Sequence, residues 1–300
     1  MAFSVNTNAG AMAALQSLNA TNNKMDVTQS RINTGLSVSS TKDDSAKYTV
    51  AQKLRGDLGK LSAVTSSLNN AKSVTDVAVA GVEQISDVLN QMKTKAQEAA
   101  DPGLDADSRV ALTKDLNALK KQIGTIIDAS DFNGTNVLKS GGGNVSTLQS
   151  FQDGDTATTG YQADALSVTN LALDATAAGG LYQAQSTTAG TTGGLGDKAT
   201  AIALSSAADA AALVESLDAM SDNVSTHLSD LGSASRQIDG QRSFTSKLSD
   251  VVTSGIGNLV DADLAKESAN LQALQVRQQL GVQALSIANQ APQTILSLFR

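Results

Sequence analysis

Ser268–Phe299 reads SANLQALQVRQQLGVQALSIANQAPQTILSLF and carries a single charge, Arg277. Its aliphatic residues are interleaved with seven Gln and two Asn. The other end of the chain has the same character, because Met1–Ser30 contains only Lys24 and Asp26 as charged residues. A helix at the surface of a soluble monomer normally places charged residues on its solvent face. Two nearly uncharged ends therefore predict helices that pack against polar but uncharged neighbours, which points to assembly.

The amide side chains fit a homopolymer for an electrostatic reason. Symmetry repeats every residue in such a polymer, so an unpaired buried charge would meet copies of itself at close range. Like charges in a medium of low dielectric repel strongly, and an unpaired buried charge is costly. Gln and Asn can donate and accept hydrogen bonds at once, so neighbouring copies can satisfy one another. The sequence thus predicts self-assembly through its two ends.

Apolar residues spaced alternately by three and four predict long helices with coiled-coil seams over most of the chain. The first helix ends in the polar run Ser37–Ser45, and the second ends at Asp101-Pro102-Gly103. A third helix closes at Asn133-Gly134, a strong turn signal. The residues predicted to bury on self-assembly are Leu15, Leu18, Met25, Ile32, Leu36, Leu264, Leu271, Leu274, Leu285, Leu296 and Phe299. In the last helix, Val276, Leu280 and Ile287 fall on a separate face from Leu271, Leu274 and Leu285.

The middle of the chain differs in composition from both ends. Eleven of the 24 glycines lie between Gly141 and Gly196, among many Thr, Ala and Ser. Short alternating pieces such as Leu166–Leu173 predict a few strands in an exposed insert, and the alternative is a disordered linker. The predicted fold is mainly α: a long antiparallel coiled-coil helical rod from both termini, with a small β-rich variable insert in the middle.

Three domains are expected from this pattern. Residues 1–40 and 262–300 would form an inner-core terminal coiled-coil domain, and 41–140 with 207–261 an outer-core helical rod domain. Residues 141–206 would form a variable, surface-exposed domain. The helices on either side of the insert can bury their apolar seams most simply if the C-terminal helices run antiparallel along the N-terminal ones.

Catalytic and cofactor sites are not expected. His227 is the only histidine and there is no cysteine, so no zinc site of the usual kinds and no His-based nucleophile relay with a spare histidine can be built. Asp261 and Asp263 lack the spacing of a calcium loop and are better explained as helix caps. The net charge of −7 disfavours nucleic acid as a partner, and no stretch is apolar enough to cross a membrane. The first residues do not resemble a secretory signal.

Three segments resemble the bacterial flagellins, the subunits of the flagellar filament. They are Ile32–Ala46 (INTGLSVSSTKDDSA), Asp131–Leu138 (DFNGTNVL), and Asp261–Glu267 (DADLAKE) continuing to Ala288–Arg300 (ANQAPQTILSLFR). The resemblance covers both ends of the chain, and the central region matches nothing recognisable. It implies a structural protein that self-polymerises into an extracellular filament used for swimming. It also implies type III export without a cleaved signal peptide.

The resemblance further implies particular partners. These are other copies of the chain, the flagellar cap and hook-junction proteins, and a cytoplasmic export chaperone that covers the C-terminal helix. Flagellins sensed by the animal Toll-like receptor carry an LQRVRELA-like segment, whose counterpart here is Leu89-Asn-Gln-Met-Lys-Thr-Lys-Ala96. In this degenerate segment of Leu89, Gln91, Met92, Lys93 and Lys95, Gln91 replaces an Arg and Lys95 replaces a Leu. Weak or absent receptor recognition is therefore expected.

Two alternative functions fit parts of the pattern. A hook-filament junction protein, or another axial flagellar protein, would share the terminal helices. The cytoplasmic hairpin of a chemoreceptor would also be rich in Ala, Ser and Gln with heptad spacing, but it should continue through its tip. The Gly- and Thr-rich middle contradicts a continuous hairpin.

Overall fold

The computed structural model describes residues 8–152, 162–176, 180–186 and 193–298. Its helices are α1 (Ala9–Thr34), α2 (Ser45–Ala99), α3 (Ala106–Ala129), α4 (Ala207–Val260) and α5 (Leu264–Leu298). Strands β1 (Val145–Gln152) and β2 (Gln162–Val168) form a two-stranded antiparallel sheet between α3 and α4. The prediction of a mainly α fold with a small sheet in the middle is confirmed.

The chain divides into two compact units, Met1–Gly59 with Ser249–Arg300 and Lys60–Leu248. We call them the terminal unit and the central unit. The three-domain division drawn from the sequence stays a prediction.

In the terminal unit, α1 packs against α5 and the turns beside them are tied together. Asn8 caps α1 by accepting a hydrogen bond from the Ala11 amide (3.1 Å), and Gly35 ends the helix with a φ of 72°. The amides of Ser37 and Val38 both donate to the Val260 carbonyl, and the Ala262 amide donates to the Gly35 carbonyl. The end of α1 and the α4–α5 turn therefore lie side by side.

Capping aspartates set the starts of three helices. Of the two caps expected from the sequence, Asp263 is one, whereas the Asp261 side chain caps no helix among the described residues. The Asp263 carboxylate accepts from the amides of Ala265 and Lys266 at the start of α5. Asp44 does the same for α2, and Asp105 for α3. At the turn before α2, hydrogen bonds from Ser39 and Ser40 hold the pKa of the Asp43 carboxyl below its usual value.

The central unit has one continuous hydrophobic core. The core contains buried faces of α2, from Val64 to Ala99, and of α4, from Ala210 to Ile238. Leu116, Ile123 and Ile127 of α3 complete the helical part. Buried Arg109 joins two of these helices, because its Nε donates to the Ala99 carbonyl (3.0 Å) at the end of α2.

The insert is attached to the helices by polar side chains. Ser67 of α2 accepts from the Leu148 amide (3.1 Å), and the Gln241 amide of α4 donates to the Gln149 carbonyl (2.9 Å). Strand β2 stops at Val168, so only the first three residues of Leu166–Leu173 belong to the sheet. After the strand, the Asn170 side chain donates to the carbonyls of Asn136, Lys139 and Gly143, which precede β1. These bonds tie the chain after β2 to the turn before β1, where it no longer pairs as a strand. The strand expected over the rest of that segment is therefore wrong.

Lys120 of α3 is the strongest of these attachments. Its side chain is buried, and Nζ donates to the carbonyls of Leu195 (2.7 Å), Asp197 (2.7 Å) and Thr200 (2.6 Å). Nζ also lies 5.7 Å from the centre of the Tyr182 ring, within the range of a cation–π interaction. Burial lowers the pKa of the Lys120 ammonium, and burial raises the pKa of Tyr182 to about 12.

Candidate self-assembly surface

The seam between α1 and α5 is built from the predicted apolar residues and from amides. On α5, Leu274 is buried, and Leu271 and Leu285 are half-buried. On α1 the half-buried residues include Leu18, Met25 and Ile32. The helices approach closely at Gly281, where an added Cβ would lie 3.3 Å from the Leu18 Cδ1 atom.

Uncharged hydrogen bonds cross this seam within one chain. The Asn8 amide donates to the Ala288 carbonyl (2.6 Å), and the Gln278 amide donates to the Asn22 side chain (2.9 Å). One ion pair is added where Arg31 contacts Glu267 at 3.3 Å. Part of the amide content therefore pairs helices inside a subunit.

A second apolar face of α5 has no cover in the monomer. Val276, Leu280 and Ile287 are exposed by 56%, 57% and 70%. At about 3.6 residues per turn they lie within roughly 40° of one another, and roughly 160° around the helix from the seam leucines. We call these three residues the outer face of α5. On α1, Met12 and Val27 are likewise exposed.

The predicted assembly residues thus separate into different environments. Leu274 is buried inside the terminal unit, and Leu15 and Leu264 are about half exposed. The half-buried ones are Leu18, Met25, Ile32, Leu36, Leu271 and Leu285. The backbone of Leu296 belongs to α5, and Phe299 lies outside the described residues. Met12, Val27 and Val282 were not singled out from the sequence as assembly residues, although all three are exposed apolar side chains.

The degenerate receptor segment lies on α2. Leu89 and Met92 are buried in the core of the central unit, whereas Gln91 is exposed. Lys93 pairs with Asp218 of α4, and Lys95 pairs with Glu98 at 3.2 Å. Only the polar residues of the segment are therefore accessible on the monomer.

No metal-binding cluster occurs in the part of the chain that the structure describes. Within residues 8–152, 162–176, 180–186 and 193–298, no group of three His, Asp or Glu side chains could hold a metal ion. His227 is half-buried in α4, and burial lowers the pKa of its imidazole. None of the described helices is long and apolar enough to span a membrane.

Comparisons with known proteins agree with this architecture. Residues 5–141 match the family model of the bacterial flagellin N-terminal helical region, and residues 214–299 match that of the C-terminal helical region. Flagellin FljM of Caulobacter vibrioides is 40% identical over 297 residues, covering 99% of this chain and 98% of the relative. Flagellin C of Rhizobium meliloti and a flagellin of Brucella melitensis are 34% and 33% identical, each covering 99% of both chains.

Among solved structures, the crystal structure of Bacillus cereus flagellin matches at 18% identity with a TM-score of 0.32. It covers 69% of this chain and 94% of its own.

Proposed function

Because the chain belongs to the bacterial flagellin family, as a structural subunit of the extracellular flagellar filament, we propose that the outer face of α5 forms contacts between subunits. The chain is not an enzyme and acts in motility by self-polymerisation. The observation that carries the proposal is the two-sided apolar character of α5. One face is used inside the subunit, and the other is left to a second copy.

The energetics favour burial of that outer face. Exposed apolar side chains that recur along one helix face indicate an interaction surface. Burying a Val, Leu or Ile side chain fully contributes about 1.5–3 kcal/mol, and the outer face holds three of them in each subunit. Its neighbours along α5 are mostly Gln and Ala, and Arg277 is the one charged residue among them. Burial of the face therefore requires a counter-charge for that cation alone.

A substitution on the outer face tests the proposal. Ile287→Asp should block growth of seeded filaments, because the charge would be buried against a neighbouring subunit. Sedimentation and electron microscopy would measure this growth. Ser167→Asp, on an exposed strand position of the central unit, is the matched control and should leave growth near normal. Equal growth of both variants would remove the outer face from the subunit contacts.

Leu274 and Leu285 are less suitable positions for this test. The sequence predicts that a charge at either residue blocks growth more than one at Thr158 or Thr192, which lie outside the described residues. In the structure, Leu274 and Leu285 pack on the α1 side of α5. A charge there would disturb the subunit itself, whereas Ile287 separates assembly from folding.

An export chaperone is a further partner that α5 fits. The uncovered outer face offers an amphipathic helix to a hydrophobic groove, and covering it before secretion would prevent premature assembly. Titration calorimetry of the purified chain with its export chaperone should show weaker binding for Ile287→Asp than for Ser167→Asp. The flagellar cap and hook-junction proteins are proposed partners on family grounds alone.

Recognition by the innate immune receptor is proposed to be weak. Gln91 and Lys95 present an amide and a cation where recognised flagellins carry Arg and Leu. Leu89 and Met92 are buried in the core of the central unit and are not accessible to a receptor. The double variant Gln91→Arg with Lys95→Leu should therefore activate reporter cells more strongly than the unsubstituted chain. Full potency of the unsubstituted chain would contradict the proposal.

A further inference from the structure

A groove between α1 and α5 brings together three of the few cations on these two helices. It has a volume of about 460 Å³, and Lys24, Arg31, Arg277 and Glu267 line it. Lys24 and Arg31 are the only cations of α1, and Arg277 is the only charged residue in 268–298. Three cations thus face one carboxylate, and we call this site the cationic groove.

The positive charge in the groove is not neutralised within the subunit. Arg31 pairs with Glu267 at 3.3 Å, and that carboxylate is the one anion in the lining. Lys24 and Arg277 are exposed and have no ion-pair partner among the described residues. The Arg31 Nε atom is buried and also has no hydrogen-bond partner there. An additional acceptor would therefore satisfy groups that the subunit leaves open.

Burial of these cations during assembly would require a counter-charge. On the proposed function, the outer surfaces of α1 and α5 become buried in the filament, and a buried cation without a counter-charge is costly. In a head-to-tail helical polymer a residue meets a different residue of its neighbour, so the cation need not face a copy of itself. A carboxylate from the next subunit can then complete the groove.

We propose that the cationic groove of one subunit binds a carboxylate side chain of a second copy in the filament. The terminal unit offers three exposed carboxylates without a partner among the described residues, namely Asp26, Asp250 and Asp261. Asp26 lies on the opposite side of α1 from Lys24 and Arg31, since two residues turn a helix by about 200°. The subunit therefore displays the groove and Asp26 on different surfaces, as a head-to-tail contact requires.

Charge substitutions at Arg277 test this inference, with the critical concentration of seeded polymerisation as the readout. Arg277→Gln should raise it roughly two- to fivefold, the effect of losing an ion pair that is partly exposed to solvent. Arg277→Lys should remain close to the unsubstituted chain, and Arg277→Glu should be worse than Arg277→Gln. Circular dichroism of each variant should be unchanged, because Arg277 has no partner inside the described subunit.

Second-site reversals identify the ligand. Arg277→Glu is combined in turn with Asp26→Lys, Asp250→Lys and Asp261→Lys, and one combination should restore the critical concentration to within about twofold of the original. The inference is overturned if Arg277→Glu assembles normally or if none of the three reversals restores growth. A different result would point to a free anion in the groove. In that case millimolar phosphate would stimulate polymerisation of the unsubstituted chain but not of Arg277→Gln, and none of the reversals would restore growth. The Ile287→Asp variant distinguishes failure of this inference from failure of the proposed function, because its effect on growth does not depend on Arg277.

Discussion

Lys120 is a buried cation whose role lies in holding the chain rather than in chemistry. Its three carbonyl acceptors, on Leu195, Asp197 and Thr200, belong to a segment far from α3 in sequence. Charge-assisted hydrogen bonds of this kind are stronger than neutral ones. One side chain therefore fixes the segment that leads from the insert to α4.

Removing this cation should loosen that segment. Lys120→Met retains the aliphatic stem but leaves the three carbonyls without their donor, at a cost of about 2–3 kcal/mol. Hydrogen exchange should rise in residues 193–202, and the thermal transition of the central unit should fall. The exposed neighbour provides the control, since Lys121→Met should change neither measurement. Equal effects at both positions would contradict the role given to Lys120.

Asp128 should make the same region sensitive to acid. Hydrogen bonds from Lys198 (2.6 Å) and Lys139 (3.0 Å) hold the pKa of its carboxyl below the usual 3.8. A carboxyl with a lowered folded-state pKa contributes stability above its unfolded-state pKa, and this contribution is lost as the pH falls through the folded-state value.

The expected outcome is a small stability difference between the unsubstituted chain and Asp128→Asn that is present at neutral pH. It should start to shrink below about pH 4, where the unfolded-state carboxyl becomes protonated, and it should vanish once the pH is below the lowered folded-state pKa. The effect should stay small because the three side chains are largely exposed to solvent. Denaturant titration at a series of pH values would measure it, and a difference that grows on acidification would refute the assignment.

At the scale of the elements, the pairing of α1 with α5 depends on a close approach. Gly281 faces Leu18, where an added Cβ would be 3.3 Å from the Cδ1 atom. Gly56, on α2 in the same unit, has nothing within 4 Å of the corresponding position. The two glycines are therefore equivalent in helix propensity but not in packing.

Gly281→Leu should separate the two helices and weaken filaments, because overpacking a seam costs about 1–3 kcal/mol. Gly56→Leu should instead be neutral or stabilising, since leucine is the better helix former by roughly 0.8 kcal/mol. The critical concentration of polymerisation and the melting of filaments distinguish the two variants. Similar behaviour of both would show that the helix approach at Gly281 is not needed.

At the scale of the molecule, the central unit has a core of its own. The residues of that core run from Val64 to Ile238, and none comes from the last helix. The terminal unit has a separate, smaller cluster formed by Val38, Ala51, Ile256 and Val260. The central core and the proposed assembly surface thus lie in different parts of the chain.

Deletion of Ser268–Arg300 should abolish polymerisation and leave the central core folded. The truncated chain loses most of α5, and with it both the seam partner of α1 and the outer face. Its main thermal transition should stay within a few degrees of that of the full chain, because no residue of the central core comes from the deleted segment. Seeded growth assays and calorimetry would measure the two properties on the same samples. Filaments from the truncated chain would contradict the proposed function.

The sequence by itself determined the helices, their caps and the polymeric class of the protein. Apolar spacing, Asp263 as a cap and the uncharged ends are local properties, so they can be recognised without knowing which segments meet. Only the tertiary structure decided which apolar residues serve the subunit and which are left for its neighbours. The sequence separates Leu274 and Ile287 onto two faces of one helix, but only the structure shows that Leu274 is buried in the terminal unit whereas Ile287 is 70% exposed. The gathering of Lys24, Arg31 and Arg277 and the contacts of Lys120 were likewise invisible, because they join residues that are distant along the chain and meet only through packing.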